Sequence, residues 1–274
     1  MQWAGKIFDF YVKASIHVSL AVVSFLYLTS CFLNIRVPYS LYLFIFFGTI
    51  PAYNFIKQSR GGQNQYFGLL SGDKTIRWLS VLSLLSAIYF GTQLTANTMI
   101  GVLILAVLVV FYTIPIFPSQ KTLRHSGIIK ILIIAFVWAG TTVLLPVIEV
   151  QYNMSWDVRI ETLQRLLVIL VLMVPFEIRD LSVDPNEMMT IPQRLGIRKT
   201  RRLGILLCLI GFLLTFMKDE LLAHEIPGKM IISLSLIGLL IWLPAKQSRY
   251  FASFWVEAFP IFWAGFLWGI LKTV

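Results

Sequence analysis

The chain has 274 residues, 58% of them hydrophobic and 13% charged, with a mean hydropathy of +0.80. Soluble domains average roughly 45–50% apolar and about 25% charged residues, so this composition excludes an ordinary soluble globular protein and describes an integral membrane protein. The formal net charge of +10 is not a nucleic-acid signature here, because basic residues on a multi-pass membrane protein mark its cytoplasmic loops.

A helix needs about 20 apolar residues to cross the hydrocarbon core. Nine runs of this kind predict an all-α polytopic membrane protein with nine transmembrane helices, at about 14–33, 38–56, 77–95, 98–116, 128–148, 162–178, 203–217, 229–245 and 252–271. The runs are continuous rather than alternating, which argues against a β-barrel. Short connections and the lack of an inserted soluble stretch predict a single domain over 1–274.

The first run has no obvious small-residue cleavage site and reads as an uncleaved anchor. It carries His17 between Ser15 and Ser19. That histidine is expected to be hydrogen-bonded in the interior rather than a metal ligand, since the three histidines at 17, 125 and 224 are scattered. Cys31 and Cys208 lie in or beside apolar runs and read as packing residues, with no disulfide framework implied.

The second run leads into Tyr53-Asn54-Phe55-Ile56-Lys57-Gln58-Ser59-Arg60-Gly61-Gly62. The two glycines do not make a phosphate-loop pattern. The cations are either anion contacts or ordinary loop charge. After the fourth run, Tyr112-Thr113-Ile114-Pro115 is followed by Pro118, Lys121 and Arg124. The prolines end the helix. Lys121 and Arg124 are of the types that bind phosphate, or they too mark topology. A larger loop from Glu149 to Glu161 places Trp156 as an interface anchor.

The sixth run ends in Pro175-Phe176-Glu177-Ile178-Arg179-Asp180-Leu181-Ser182-Val183-Asp184. Ionisable groups at membrane depth are costly and mark function by default. Glu177, Asp180 and Asp184 are spaced by three and four residues, which on a helix is one face with neighbouring Cβ atoms roughly 5–6 Å apart. Such carboxylates repel one another unless a cation lies between them, and they suit Mg²⁺ held together with waters and substrate phosphates. The alternative is a solvated acidic helix end that stops at Pro185. Glu257, near the start of the ninth run, suits a cavity or an interface equally.

With the N-terminus inside, the inner segments hold 17 Lys and Arg residues and the outer segments 6, which together make the 23 in the chain. Arg165, Lys218 and Lys229 are among the outer six, and Lys130 is among the inner cations. The asymmetry predicts a cytoplasmic N-terminus and puts Asp180 and Asp184 on the cytoplasmic side.

An acidic Asp-x-x-x-Asp end to the sixth run, the following Thr190-Ile191-Pro192 and Leu195-Gly196, and the Tyr-Thr-x-x-Pro exit from the fourth run resemble the UbiA superfamily of intramembrane prenyltransferases. The resemblance covers essentially the whole chain, and its specific part is Glu177 to Gly196. It implies nine helices around a central, lipid-accessible cavity. It also implies a prenyl diphosphate held by Mg²⁺ on two Asp-rich motifs, and transfer of the prenyl group to a membrane-soluble, aromatic-type acceptor. By this resemblance Asp180 and Asp184 are the catalytic metal ligands with Glu177 in support. Asn54, Lys121 and Arg124 contact the diphosphate, and Tyr112 lines the site. The first motif departs from the pattern: Asn54 is in place, but Gln58 and Gly62 stand where two aspartates belong. That departure leaves open a second expectation, a UbiA-like protein that binds an isoprenoid or quinone-like lipid without turnover. The compartment expected is a bacterial inner membrane.

Overall fold

The computed structural model describes residues 2–58, 73–114 and 123–273, and among these residues every regular element is helical. Helix α1 (Gln2–Lys13) is joined to α2 (Ile16–Phe32) at a bend of 58°. Ser15 makes the bend with a φ of 64°. Two antiparallel neighbours follow, α3 (Tyr39–Gln58) and α4 (Lys74–Gly91), then α5 (Ala96–Thr113). The starts of α4 and α5 are capped in the ordinary way, Asp73 accepting the Thr75 N–H at 2.9 Å and Thr95 the Thr98 N–H at 3.4 Å.

Helix α6 (Gly127–Ala139) runs through a π-helical turn at Gly140–Leu144 into α7 (Leu145–Glu149). Pro146 explains the widened turn, since it has no N–H to donate backward and its ring crowds the preceding carbonyl. Helix α8 (Trp156–Asp180) is followed by α9 (Ile191–Leu213), α10 (Glu225–Trp242), a second π-helical turn at Phe251–Val256, and α11 (Phe259–Thr273). Neighbours in space run α4, α3, α2, α11, α10, α9, α8, α6, α5, and α2 also packs on the π turn between α6 and α7. Phe25 and Phe32 of α2, Ile169 and Leu172 of α8, Leu236 and Leu240 of α10 and Leu267 of α11 share one apolar core.

Each of the nine apolar runs contains a helix. Among the described residues, however, six helices are long and apolar enough to cross a membrane, and the bent pair α1–α2 makes a seventh. Helices α4 and α8 fall outside that group. In α8 the reason is chemical: Glu161, Arg165, Glu177, Arg179 and Asp180 dilute its apolar face.

Three of those charges, Glu161, Arg165 and Glu177, are buried inside the bundle. Arg165 is 1% exposed and is enclosed by α2, α8 and the π turn. Its guanidinium donates to the Phe25 carbonyl at 2.8 Å, Thr142 Oγ1 at 3.1 Å and Thr29 Oγ1 at 3.1 Å, and it pairs with Glu161 at 3.2 Å. Lys229 of α10 pairs with the other Glu161 oxygen at 2.8 Å and with Glu225 at 2.7 Å, and it donates to Gln164 at 2.6 Å. Lys218 pairs with Glu225 at 2.7 Å and donates to the Phe32 carbonyl at 2.9 Å. Arg165, Lys218 and Lys229, counted above as outer-loop charge, are therefore buried ties between helices.

Removing one partner of a buried pair leaves an uncompensated charge and costs about 3–5 kcal/mol. Arg165→Met is expected to lower stability in detergent by that order, read as a fall in the unfolding temperature. Arg36→Met, at an exposed residue, is expected to change stability by less than about 0.5 kcal/mol. Thermal unfolding of the purified variants checks both.

Candidate functional site at the end of helix α8

The opposite end of α8 carries a second charged group, and its centre is a lysine. Lys130, in the first turn of α6, places its Nζ 2.9 Å from Glu177 Oε1 and 2.8 Å from Asp184 Oδ2. Lys130 is 8% exposed and Glu177 4%. Helix α8 holds Glu177 two residues past Pro175, whose carbonyl accepts the Gln247 side-chain amide at 2.8 Å. Asp180 lies one turn further on, with its two oxygens on Arg179 at 2.7 and 3.1 Å. The Arg179 guanidinium also lies over the Phe176 ring at 5.1 Å.

Asp184 is brought back to the helix by the turn that ends it. The Val183 and Asp184 N–H groups both donate to the Asp180 carbonyl, at 2.9 and 2.8 Å. Gln193, one turn into α9, then fastens the loop. Its amide nitrogen donates to the carbonyls of Asp184 at 3.2 Å and Pro185 at 3.1 Å, and its amide oxygen accepts the Thr190 N–H at 2.8 Å. This explains the Thr-Ile-Pro segment: Thr190 begins the helix, and Pro192 sits in its first turn where a missing N–H is tolerated. Gly196 then breaks α9 with a φ of 75°, a conformation glycine adopts without a Cβ penalty.

Gly127 fixes the other side. Its φ is 34°, and a Cβ built there would stand 2.3 Å from the Met188 carbonyl oxygen. Only glycine lets the start of α6 approach the 181–190 loop this closely, and Lys130 is one turn beyond that contact.

The expected site residues distribute unevenly. Glu177 and Asp184 meet on Lys130, and Asp180 is engaged by Arg179. Tyr112 is buried in the last turn of α5. Arg124 is half-buried in the short helical turn Leu123–His125, which packs on α5 and α6. Lys121 lies outside the described residues, as do Arg60 and Gly62. Asn54 is 2% exposed and belongs to a different group. Its amide oxygen accepts from Ser15 at 2.7 Å, and its amide nitrogen donates to Ser80 Oγ at 2.9 Å and the Ala14 carbonyl at 3.3 Å. Both amide donors are used in tying the α1–α2 bend to α3 and α4, and none of these bonds reaches the α8 group. His17 is hydrogen-bonded at both ring nitrogens, to Tyr11 and the Phe254 carbonyl, each at 2.9 Å, as an interior histidine should be.

Lys130 belongs to none of the motifs, although the sequence marks it. It is a lone cation inside Ile128-Ile129-Lys130-Ile131-Leu132, and a charge at membrane depth calls for a partner.

The donors are of the type Mg²⁺ takes, and in this structure Asp180 holds Arg179 with both oxygens while Asp184 holds Lys130 with one. Carboxylate oxygens are hard ligands, and Glu177 Oε2 is buried without a hydrogen-bond partner. Among the described residues no three His, Cys, Asp or Glu side chains converge. Mg²⁺ is ordinarily bound by one or two carboxylates with waters and phosphates rather than by a protein cage, so a pair is sufficient.

No family model and no curated protein matches the chain. Its fold is similar to a solved structure of a digeranylgeranylglyceryl phosphate synthase in membranes, with a TM-score of 0.55 over 93% of this chain and 92% of that one, at 16% identity. At that identity the likeness establishes the fold: this is an all-α, multi-pass integral membrane protein.

Lys130→Met removes the cation between two buried carboxylates. It is expected to cost about 3–5 kcal/mol without divalent ions, and millimolar Mg²⁺ is expected to restore part of the loss. Unfolding temperatures of wild type and variant with and without Mg²⁺ check this; a variant as stable as wild type, or one indifferent to Mg²⁺, contradicts it.

Proposed function

We propose that this protein is a divergent UbiA-like enzyme. It transfers a prenyl group from a prenyl diphosphate to a lipophilic, aromatic-type acceptor within the bilayer, with the α8 end facing the cytoplasm. The observation that carries the reading is the Glu177–Lys130–Asp184 group at the end of α8, a cation and two carboxylates in a water-poor bundle. The fold likeness to a membrane synthase whose name denotes a prenylated lipid supports it.

In this reading the chain's own residues bind and orient. Lys130 and Arg179 are drawn to the donor's phosphate oxygens, which carry about three negative charges before departure and gather more on the leaving oxygen. Fixed cations in a water-poor site stabilise such charge strongly. Arg124, half-buried in the short turn between α5 and α6, supplies further positive charge, and Lys121 is proposed to add to it. Asp180 and Asp184 are proposed as the Mg²⁺ ligands. Mg²⁺ bound there supplies Lewis-acid neutralisation of the diphosphate. The buried surroundings keep water from the allylic carbon.

A second reading is binding of an isoprenoid or quinone-like lipid without turnover. Two observations favour it: Gln58 and Gly62 replace the first motif's acids, and Asn54 spends its amide donors on Ser80 and the Ala14 carbonyl.

Proteoliposomes given radiolabelled farnesyl diphosphate and a panel of lipophilic phenols separate the readings. Transfer is expected to yield an apolar labelled product and free diphosphate, and to stop when EDTA removes divalent ions. Asp180→Asn and Asp184→Asn are each expected to slow it by about 10²–10³-fold. Metal-dependent diphosphate binding without product across the panel favours the second reading, and the absence of diphosphate binding overturns the transfer reading.

A further inference from the structure

Helix α9 and the short turn that continues it to Met217 present one face to the protein and the opposite face outward. Thr200, Gly204, Cys208, Gly211 and Thr215 are buried. The opposite positions, again at steps of four and three residues, are Arg202, Leu206, Leu209, Leu213 and Phe216, and all of them are exposed. In a membrane protein an outward apolar stripe of this kind meets lipid.

The head of the stripe is cationic. Arg198 and Lys199 lie one helical turn before Arg202, so the three exposed side chains are neighbours. Residues 188–217 contain no Asp or Glu. Among the described residues none of the three cations is paired with a carboxylate. Arg201, beside them, donates to the Leu243 carbonyl and so brings the end of α10 alongside. Trp242 at that end is 83% exposed, and an outward tryptophan at the end of a spanning helix marks the level of the lipid headgroups. From Arg202 to Leu213 is eleven positions, roughly 16 Å at about 1.5 Å per residue. That is about half of a hydrocarbon core of roughly 30 Å, the depth of one leaflet.

We propose that this face of α9 holds an anionic phospholipid. Its phosphate lies among Arg198, Lys199 and Arg202, and one acyl chain runs down Leu206, Leu209 and Leu213. The site is separate from the Lys130 group and does not depend on the transfer reading.

Two features select this ligand over others. The general bias of cytoplasmic loops toward positive charge places cations on this side without fixing their spacing. Here three unpaired cations stand within about one turn, directly above an apolar stripe as long as an acyl chain. A free phosphate has no use for the stripe. A zwitterionic choline lipid brings its own ammonium to the same cations, whereas a headgroup of net negative charge, such as phosphatidylglycerol, complements them.

The test offers purified protein equal amounts of phosphatidylglycerol and phosphatidylcholine in mixed micelles and reads the retained lipid by native mass spectrometry. Wild type is expected to retain phosphatidylglycerol preferentially, each cation contributing about fivefold. The triple variant Arg198→Gln, Lys199→Gln, Arg202→Gln is expected to lose the preference. The triple variant Lys6→Gln, Arg36→Gln, Lys74→Gln removes the same charge at other exposed positions and is expected to keep it. Phosphatidylglycerol with a diazirine on its acyl chain is expected to label residues 203–217 of wild type in excess over the other lipid-facing helices. Equal retention of the two lipids by wild type overturns the proposal, as does an equal loss of preference in both triple variants, which would assign it to net charge alone. Labelling spread evenly over the helices also overturns it, as does displacement of the lipid by farnesyl diphosphate or by inorganic phosphate.

Discussion

A carboxylate buried between apolar helices has to meet a cation, and α8 carries buried carboxylates near both of its ends. Glu161 and Glu177 are separated by 16 positions, or roughly 24 Å of helix at about 1.5 Å per residue. At one end, Glu161 is answered by Arg165 and by Lys229 of α10. At the other, Glu177 and Asp184 are answered by Lys130 of α6. Water is not at hand to solvate these groups, so their partners fix which helices flank α8 and in what register. The position of α2 follows from the first group through Phe25 and Thr29. The position of the 181–190 loop follows from the second, through Asp184 and Gln193.

The two groups differ in their exposure. The group around Arg165 and Lys229 reaches Thr29, Thr142, Gln164 and the Phe25 carbonyl and ties together α2, α8, α10 and the π turn, and its charged side chains are all buried. It leaves Glu225 Oε2 without a hydrogen-bond partner, as the Lys130 group leaves Glu177 Oε2. The Lys130 group alone continues into half-exposed charges, Asp180 and Arg179, on its rim. That accessible rim, more than the presence of charge, distinguishes the candidate site from the structural tie at the other end of the same helix.

Much of this was legible in the residues. The apolar runs located the helices because lipid permits few alternatives to a helix. The three-and-four spacing of Glu177, Asp180 and Asp184 located the acidic end of α8. The partners were not legible. Motif spacing describes one segment, whereas Lys130 reaches Asp184 across 54 positions and Lys229 reaches Glu161 across 68. Charge counting treated Lys130, Arg165, Lys218 and Lys229 as topology because a loop cation and a buried one look alike in composition. Asn54 matched a motif position, yet its amide serves the α1–α2 bend, a feature set by Ser15 that no apolar pattern announces. Gly127 likewise has its reason in a loop some 60 positions away.

The account stands on the Lys130 end of α8, rather than the Arg165 end, being where a diphosphate is received. A structure determined in lipid nanodiscs with a non-hydrolysable farnesyl thiodiphosphate tests this most directly. The account predicts phosphate density against Lys130 and the Asp180 and Asp184 carboxylates, with the prenyl chain running into the bundle. Density beside Arg165 and Lys229 instead, or none at either end under saturating ligand, would contradict it.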